Sequence, residues 1–306
     1  MLPGLIEAHA HLLQDDAAAA AAPAGEALRA LRGAAHARSY LEAGYTSVRD
    51  LGKAGRYADV ALKRAIAEGS VPGPRLFVSG PALGAVGQGG AAIDNGEVRL
   101  VRGAEDARLA VREHAGRGVD LIRIDVDAAL PLEAIKAAVE EAHAARLKVT
   151  AYASGDAAVA LALEAGADAI EHGTAASIET LHRMRQESVP LVPARAAFDE
   201  LRRAHAAGVV LAAGSDVAAD PQLPRGESAR RVLLSWVEAG LAPGAVLQAA
   251  TAHGARLLGV PGLGVLTAGA HADIIAVQGD PLAGLDALER LVFVMKGGQV
   301  VRTPGP

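Results

Sequence analysis

Eight short apolar or β-branched runs, each followed by a segment of helical spacing, constrain this chain of 306 residues more than any other feature. The runs cover residues 5–11, 46–49, 75–78, 120–124, 148–151, 167–170, 189–192 and 209–212. Between them, stretches such as 132–146 and 156–164 are rich in Ala, Leu, Arg and Glu and carry their apolar positions on one helical face. Gly44, Gly69, Gly118, Gly166 and Gly208 stand where these helices should stop, because glycine enters the left-handed C-terminal cap without steric cost. The alternation predicts an α/β fold, a (β/α)8 barrel of the TIM type. A doubly wound open sheet would need a glycine fingerprint after the first strand. The glycine-rich stretch here, Gly87-Gln88-Gly89-Gly90, follows the third and reads as a loop at the barrel mouth.

Helical patterns continue over 226–239 and 243–258, and from Gly262 the chain turns to short strands and turns. Residues 1–260 are therefore expected to form the barrel and 261–306 a small β appendage. A content of 51% hydrophobic residues can fill a large core, and with only 3% aromatics that core must be built from Ala, Leu and Val. The formal net charge of -5, without a long basic run, argues against nucleic acid or an anionic membrane surface as partner. No apolar stretch reads as a signal peptide or membrane span, so a cytoplasmic protein acting on a small soluble molecule is expected. The absence of cysteine restricts any metal site to His, carboxylate, carbonyl or water ligands.

The sharpest chemical signal closes the first strand. Side chains two apart share a face of a strand, so His9 and His11 could grip one cation together. Active groups of such barrels lie at the C-terminal ends of the strands, where His172 and Asp216 also fall. Taken singly, His9 and His11 read as a polar strand end, His172 as a core histidine bonded to backbone, and Asp216 as a helix N-cap.

Their company changes that reading. Pro3-Gly4-Leu5-Ile6-Glu7-Ala8-His9-Ala10-His11 resembles the opening barrel strand of the amidohydrolase superfamily. Gly44-Tyr45-Thr46-Ser47-Val48-Arg49-Asp50, Pro72-Gly73-Pro74-Arg75, Glu171-His172-Gly173 and Gly214-Ser215-Asp216 are similar, in order and spacing, to later strands of its imidazolonepropionase- and prolidase-like branch. The resemblance implies a hydrolase that cleaves C–N bonds (amide, cyclic amide or dipeptide-like) in a small molecule with metal-activated water. It further implies that His9, His11, His172 and Asp216 hold a divalent metal, zinc first, that Asp216 takes the proton of the attacking water, and that His172 serves as ligand or acid/base. The tail Ala272-Asp273-Ile274-Ile275 with Met295-Lys296-Gly297-Gly298 is similar to the C-terminal part of the family's β-sandwich. Because Met1 stands just before the first barrel strand, that sandwich is expected to be incomplete, lacking its N-terminal half, and its open edge would favour a homodimer.

The departures from the family pattern matter equally. Arg123 stands where the branch has a lysine carboxylated to bridge two metals, and arginine forms no such carbamate. Tyr152 stands where a histidine ligand is usual, and Gln88 lies in the third-strand loop whose histidine is missing. One metal at most is expected. The alternative is a metal-free barrel that binds a small molecule or performs lyase or isomerase chemistry by acid and base. In that case Arg123 would pair with Asp216, and Asp125 and Asp127, on the strand parity of Arg123, become further acids at the mouth. The remaining histidines, His36, His114, His143, His182, His205, His253 and His271, lie on helices or beside the appendage and receive no chemical role.

Overall fold

Seven of the eight predicted runs become parallel strands in a computed structural model that describes residues 1–14, 25–52, 55–85, 97–126, 130–193, 197–217 and 223–303. Three strands, β2 (Leu5–Ala10), β3 (Tyr45–Asp50) and β4 (Arg75–Val78), pair in that order in one parallel sheet. A second parallel sheet runs β10-β9-β8-β7-β5-β6, from β5 (Ala82–Gly84), β6 (Val98–Leu100), β7 (Leu121–Val126), β8 (Lys148–Ala153), β9 (Ala169–His172) and β10 (Leu191–Pro193). Backbone bonds outside the ladders close the gaps: the Asp120 amide donates to the Val78 carbonyl at 2.8 Å, and the segment after the eighth predicted strand is tied to β2, the Ala8 amide donating to the Ala213 carbonyl at 2.8 Å and the Asp216 amide to the His9 carbonyl at 3.0 Å. The result is a TIM-barrel-like α/β fold. The expected unbroken ring of eight strands is replaced, among the described residues, by two sheets with bridged junctions.

Two local causes account for the breaks. The third predicted strand forms over its whole length as β4, but the chain turns after it at Ser79-Gly80-Pro81, where Gly80 has φ +66, and begins the unpredicted β5 beside β7. The eighth predicted strand survives only as an isolated parallel bridge between Leu191 and Leu211. Beyond it Gly214 is pressed against His9: a Cβ there would lie 2.6 Å from His9 Cβ and 2.5 Å from Val192 Cγ1. Backbone contact of that closeness excludes a regular, side-chain-bearing strand.

The helices follow their sequence signals closely. α4 (Leu132–Ala144) and α5 (Asp156–Ala165) occupy the predicted segments, and all five predicted cap glycines have positive φ, from +75 at Gly208 to +95 at Gly44. The single helix read over 243–258 is instead two, α9 (Pro243–Ala249) and α10 (Ala252–Leu258). They part at Thr251, whose hydroxyl donates back to the Leu247 carbonyl at 2.6 Å. Fully buried Ile122, Ile124, Val149, Ala151 and Ile170 pack the strands against the helix layer. No helix of the described residues is long and apolar enough to cross a membrane.

The C-terminal residues form one antiparallel sheet, β1-β11-β12-β13, from β1 (Leu2–Pro3), β11 (Ile274–Val277), β12 (Leu291–Lys296) and β13 (Gln299–Arg302). A second facing layer, which the expected sandwich requires, is not formed among the described residues. Leu2 and Pro3 pair with Ile275 and Ile274, so the start of the chain supplies a strand to this sheet, a contribution the sequence reading did not assign.

Candidate active site

At the C-terminal ends of β2 and β9, and beyond the eighth predicted strand, four predicted residues meet. His9 Nε2 lies 3.3 Å from His11 Nε2. Asp216 Oδ1 stands 3.4 Å from His11 Nε2 and 3.7 Å from His9 Nε2, while its Oδ2 is 3.2 Å from His172 Nε2. One donor atom each from His9, His172 and Asp216 falls within 4.8 Å of the others. His9 and His11 are buried, whereas the His172 and Asp216 side chains are 15% and 25% exposed, so the site opens on their side.

Local backbone irregularities create this convergence. The β2–β3 pairing shifts register between Glu7 and Ala10, a disturbance that re-aims side chains. Glu7 consequently packs beside Tyr45 and Trp236, while His9 and His11 turn to the site. Neighbours in a strand should point to opposite sides, yet Glu171 and His172 both approach His9. His172 has φ +68 and Asp216 φ +44, left-handed values costly for residues other than glycine and typical of functional positions held by their surroundings.

The outward-facing ring atoms fix the tautomers. His11 Nδ1 sits 3.0 Å from the Gly52 carbonyl, which can only accept, so that nitrogen carries hydrogen. His9 Nδ1 sits 2.8 Å from Glu171 Oε2. Burial alone would raise the Glu171 carboxyl, but the Arg49 charge and the His9 bond hold it down at about 2, so it too accepts. Burial keeps His9 below its ordinary value and neutral, against the pull of Glu171. With both Nδ1 atoms committed outward, the Nε2 atoms of His9 and His11 converge 3.3 Å apart beside Asp216 Oδ1, a group satisfied either by a proton shared with that carboxylate or by a cation held between them. His172 Nε2 is buried without a hydrogen bond of acceptable geometry, although Asp216 is close. Burial alone would raise Asp216, but the His11 and His172 contacts outweigh it and keep the carboxylate well below its usual range. Three imidazole nitrogens and one ionised carboxylate, with the outer nitrogens of His9 and His11 anchored, fit a divalent ion of the zinc type.

The substituted positions also line the site, with one correction. Arg123 does not pair with Asp216; its Nε donates to Asp125 Oδ1 at 2.7 Å and its Nη1 to the Leu51 carbonyl at 3.0 Å. Side chains two apart on β7 meet without reaching across the mouth, which explains the preference for Asp125. The Arg123 guanidinium lies 5.4 Å from the centre of the Tyr152 ring, which in turn meets the His172 ring at 4.7 Å between centroids. Asp127 and the loop holding Gln88 lie outside the described residues. Of the other histidines, His114 is buried between the Ala110 and Pro81 carbonyls at 2.8 Å each, and His143 is bound to Asp168 at 2.8 Å.

The sequence profile described as the amidohydrolase family matches residues 1–303. The chain belongs to the amidohydrolase family. Ochratoxinase of Aspergillus niger is 28% identical over 377 residues, covering 100% of this chain and 76% of its own. The crystal structure of A. niger ochratoxinase shares a TM-score of 0.86 at 26% identity, covering 99% of this chain and 83% of that one. A Xaa-Pro dipeptidase with methionine bound in its active site gives a TM-score of 0.89 at 27% identity, over 98% and 86% of the two chains.

Within this amidohydrolase, residue-by-residue reading missed the supports behind His9. Glu171 receives the Arg49 Nη2 and Thr150 hydroxyl donors as well as His9, and Arg49 Nε donates to the Ala8 carbonyl at 2.6 Å. The available signal was an acid and a base, Glu171 and Arg49, each at the end of a predicted strand; buried charges of that kind need each other.

Proposed function

We propose that this hydrolase cleaves a C–N bond of a small molecule, an amide, cyclic amide or dipeptide-like link, at a site holding one divalent cation on His9, His11, His172 and Asp216. The reading is carried by the His9 and His11 Nε2 atoms, which converge at 3.3 Å beside Asp216 because both Nδ1 atoms are committed outward. Hydrolysis of C–N bonds agrees with the ochratoxinase and prolidase relatives.

Bound there, a divalent ion supplies Lewis acidity, lowering the pKa of water toward about 7 and polarising the scissile carbonyl. Asp216, ionised and on the open side, receives the proton of the attacking water at a carboxylate oxygen. The water oxygen adds to the carbonyl carbon, the C–N bond breaks, and the departing nitrogen takes up a proton. His172, 3.2 Å from Asp216 and partly exposed, is placed to pass that proton on. Arg123 supplies a fixed positive charge that also depresses His9, so a second cation beside it would meet repulsion. One metal per chain follows.

The same fixed charge favours a second reading, in which acid/base chemistry proceeds without metal. Elemental analysis separates the two. One Zn, Mn or Co per chain, lost in His9→Ala and Asp216→Ala together with amidase activity, is the expected result; activity persisting in metal-free protein refutes the proposal.

A further inference from the structure

A cavity of about 170 Å³ lies beneath the site, inside the strands. Its walls include Asp120 and Leu121 at the start of β7, Lys148 at the start of β8, and Ala169 at the start of β9, with Leu257 and Leu258 of α10 as floor. It is therefore on the N-terminal face, opposite the open side of Asp216. Its upper wall carries Arg49 and Thr150, two of the three groups that hold Glu171. An under-filled interior follows from the composition: small Ala169 stands where a barrel of this type usually places a bulky branched residue.

We infer that Arg49 is a positioning residue for the metal ligand His9, and that the cavity gives small solutes access to it from the face opposite the substrate. One guanidinium spans two points of the same ligand. Its Nε holds the carbonyl of Ala8, the residue before His9, and its Nη2 holds the carboxylate that fixes the His9 ring. Backbone and ring of His9 are thus set by a single planar group, only 3% exposed, that touches neither ligand atoms nor substrate side. A lysine ammonium, a point charge, cannot reproduce two contacts in one plane. Removing the guanidinium leaves a planar, cation-sized gap that continues into the cavity.

The inference rests on the metal reading above, and Co2+ titration of the apo-protein tests both. The readouts are the Co2+ dissociation constant, the shape of its visible absorption bands, and the melting point of the metal-free form. Arg49→Ala should weaken Co2+ binding about 10- to 100-fold, the range of outer-sphere substitutions, and change the band shape. Guanidinium chloride at low, non-denaturing concentration should recover at least about fivefold of that loss, where sodium chloride recovers none. Arg49→Lys keeps the charge beside Glu171 and covers the case in which the alanine variant does not fold; it should bind Co2+ about 10-fold more weakly than wild type, the low end of the same range. Absence of Co2+ binding by the wild-type chain overturns the metal reading and this inference together. Wild-type affinity and spectrum in either variant overturn this inference alone, and failure of guanidinium to rescue folded Arg49→Ala overturns the access route.

Discussion

Glu7→Gln should change the pH dependence of stability in a calculable way. Glu7 is 1% exposed, and its Oε1 accepts the His9 amide at 2.9 Å and the Ser215 amide at 2.7 Å. Burial pushes its carboxyl from 4.5 up to about 7, with the two amide bonds opposing only part of the rise. The folded value is above the unfolded one, so the fold retains a proton that the unfolded chain releases. The resulting stabilisation is fully present below about 4.5 and is lost as pH climbs through 7. At 1.36 kcal/mol per pH unit, the difference between 4.5 and about 7 amounts to about 3 kcal/mol. Glutamine keeps a carbonyl oxygen for both amides and cannot ionise. Urea unfolding of chelator-treated wild type and variant at several values between pH 4.5 and 8.5 gives the difference between them, in which Asp50 and Asp59, also raised by burial, cancel. The variant should gain about 3 kcal/mol relative to wild type across that interval. A difference that stays flat with pH would show that Glu7 is ionised throughout and that the two amides outweigh burial.

Other perturbations reach the site and the core separately. Gly214→Ala places a methyl 2.6 Å from His9 Cβ, and should cost about 1–3 kcal/mol in urea unfolding and weaken metal uptake in the same protein. Adding Zn2+ at a hundred times its dissociation constant should stabilise the apo-protein by about 2.7 kcal/mol in a thermal scan; an unchanged melting point would count against the site. Arg123→Lys should leave metal content at one per chain by elemental analysis, because Tyr152 still stands where a histidine ligand is usual; two per chain would show that Arg123 alone keeps the second cation out. Ile122→Ala, at a position with no exposed surface, should cost about 2–5 kcal/mol in urea unfolding without altering metal stoichiometry.

Strand–helix alternation and cap glycines were legible because each follows from short-range physics: apolar periodicity for one, the missing Cβ for the other. His9 and His11 were legible for the same reason, two residues apart at a strand end. The link between Arg123 and Asp125 was open to strand parity, but the resemblance drew attention to Asp216 instead. What stayed hidden depends on contacts between distant segments. Arg49 and Glu171 are 122 positions apart, and nothing local announces their pairing. The register shift after Glu7 and the left-handed turns at His172 and Asp216 are imposed by neighbouring strands, and residue type gives no hint of them. Similarly, the break at Thr251 arises because Gly264 closes on its carbonyl, with a Cβ position only 2.6 Å from that oxygen.

Leu2 and Pro3 belong to the small sheet, Leu5 begins the strand that carries His9, and only Gly4 lies between. The Gly4 amide donates to the Asp273 carbonyl at 2.8 Å, and a Cβ there would strike Thr46 at 2.1 Å. The tail sheet and the strand that carries His9 are thus spliced through one residue that has no room to slip. In hydrogen exchange they should behave as one cooperative unit, with the amides of Ile274 and Ile275 becoming slower when a cation is held by His9.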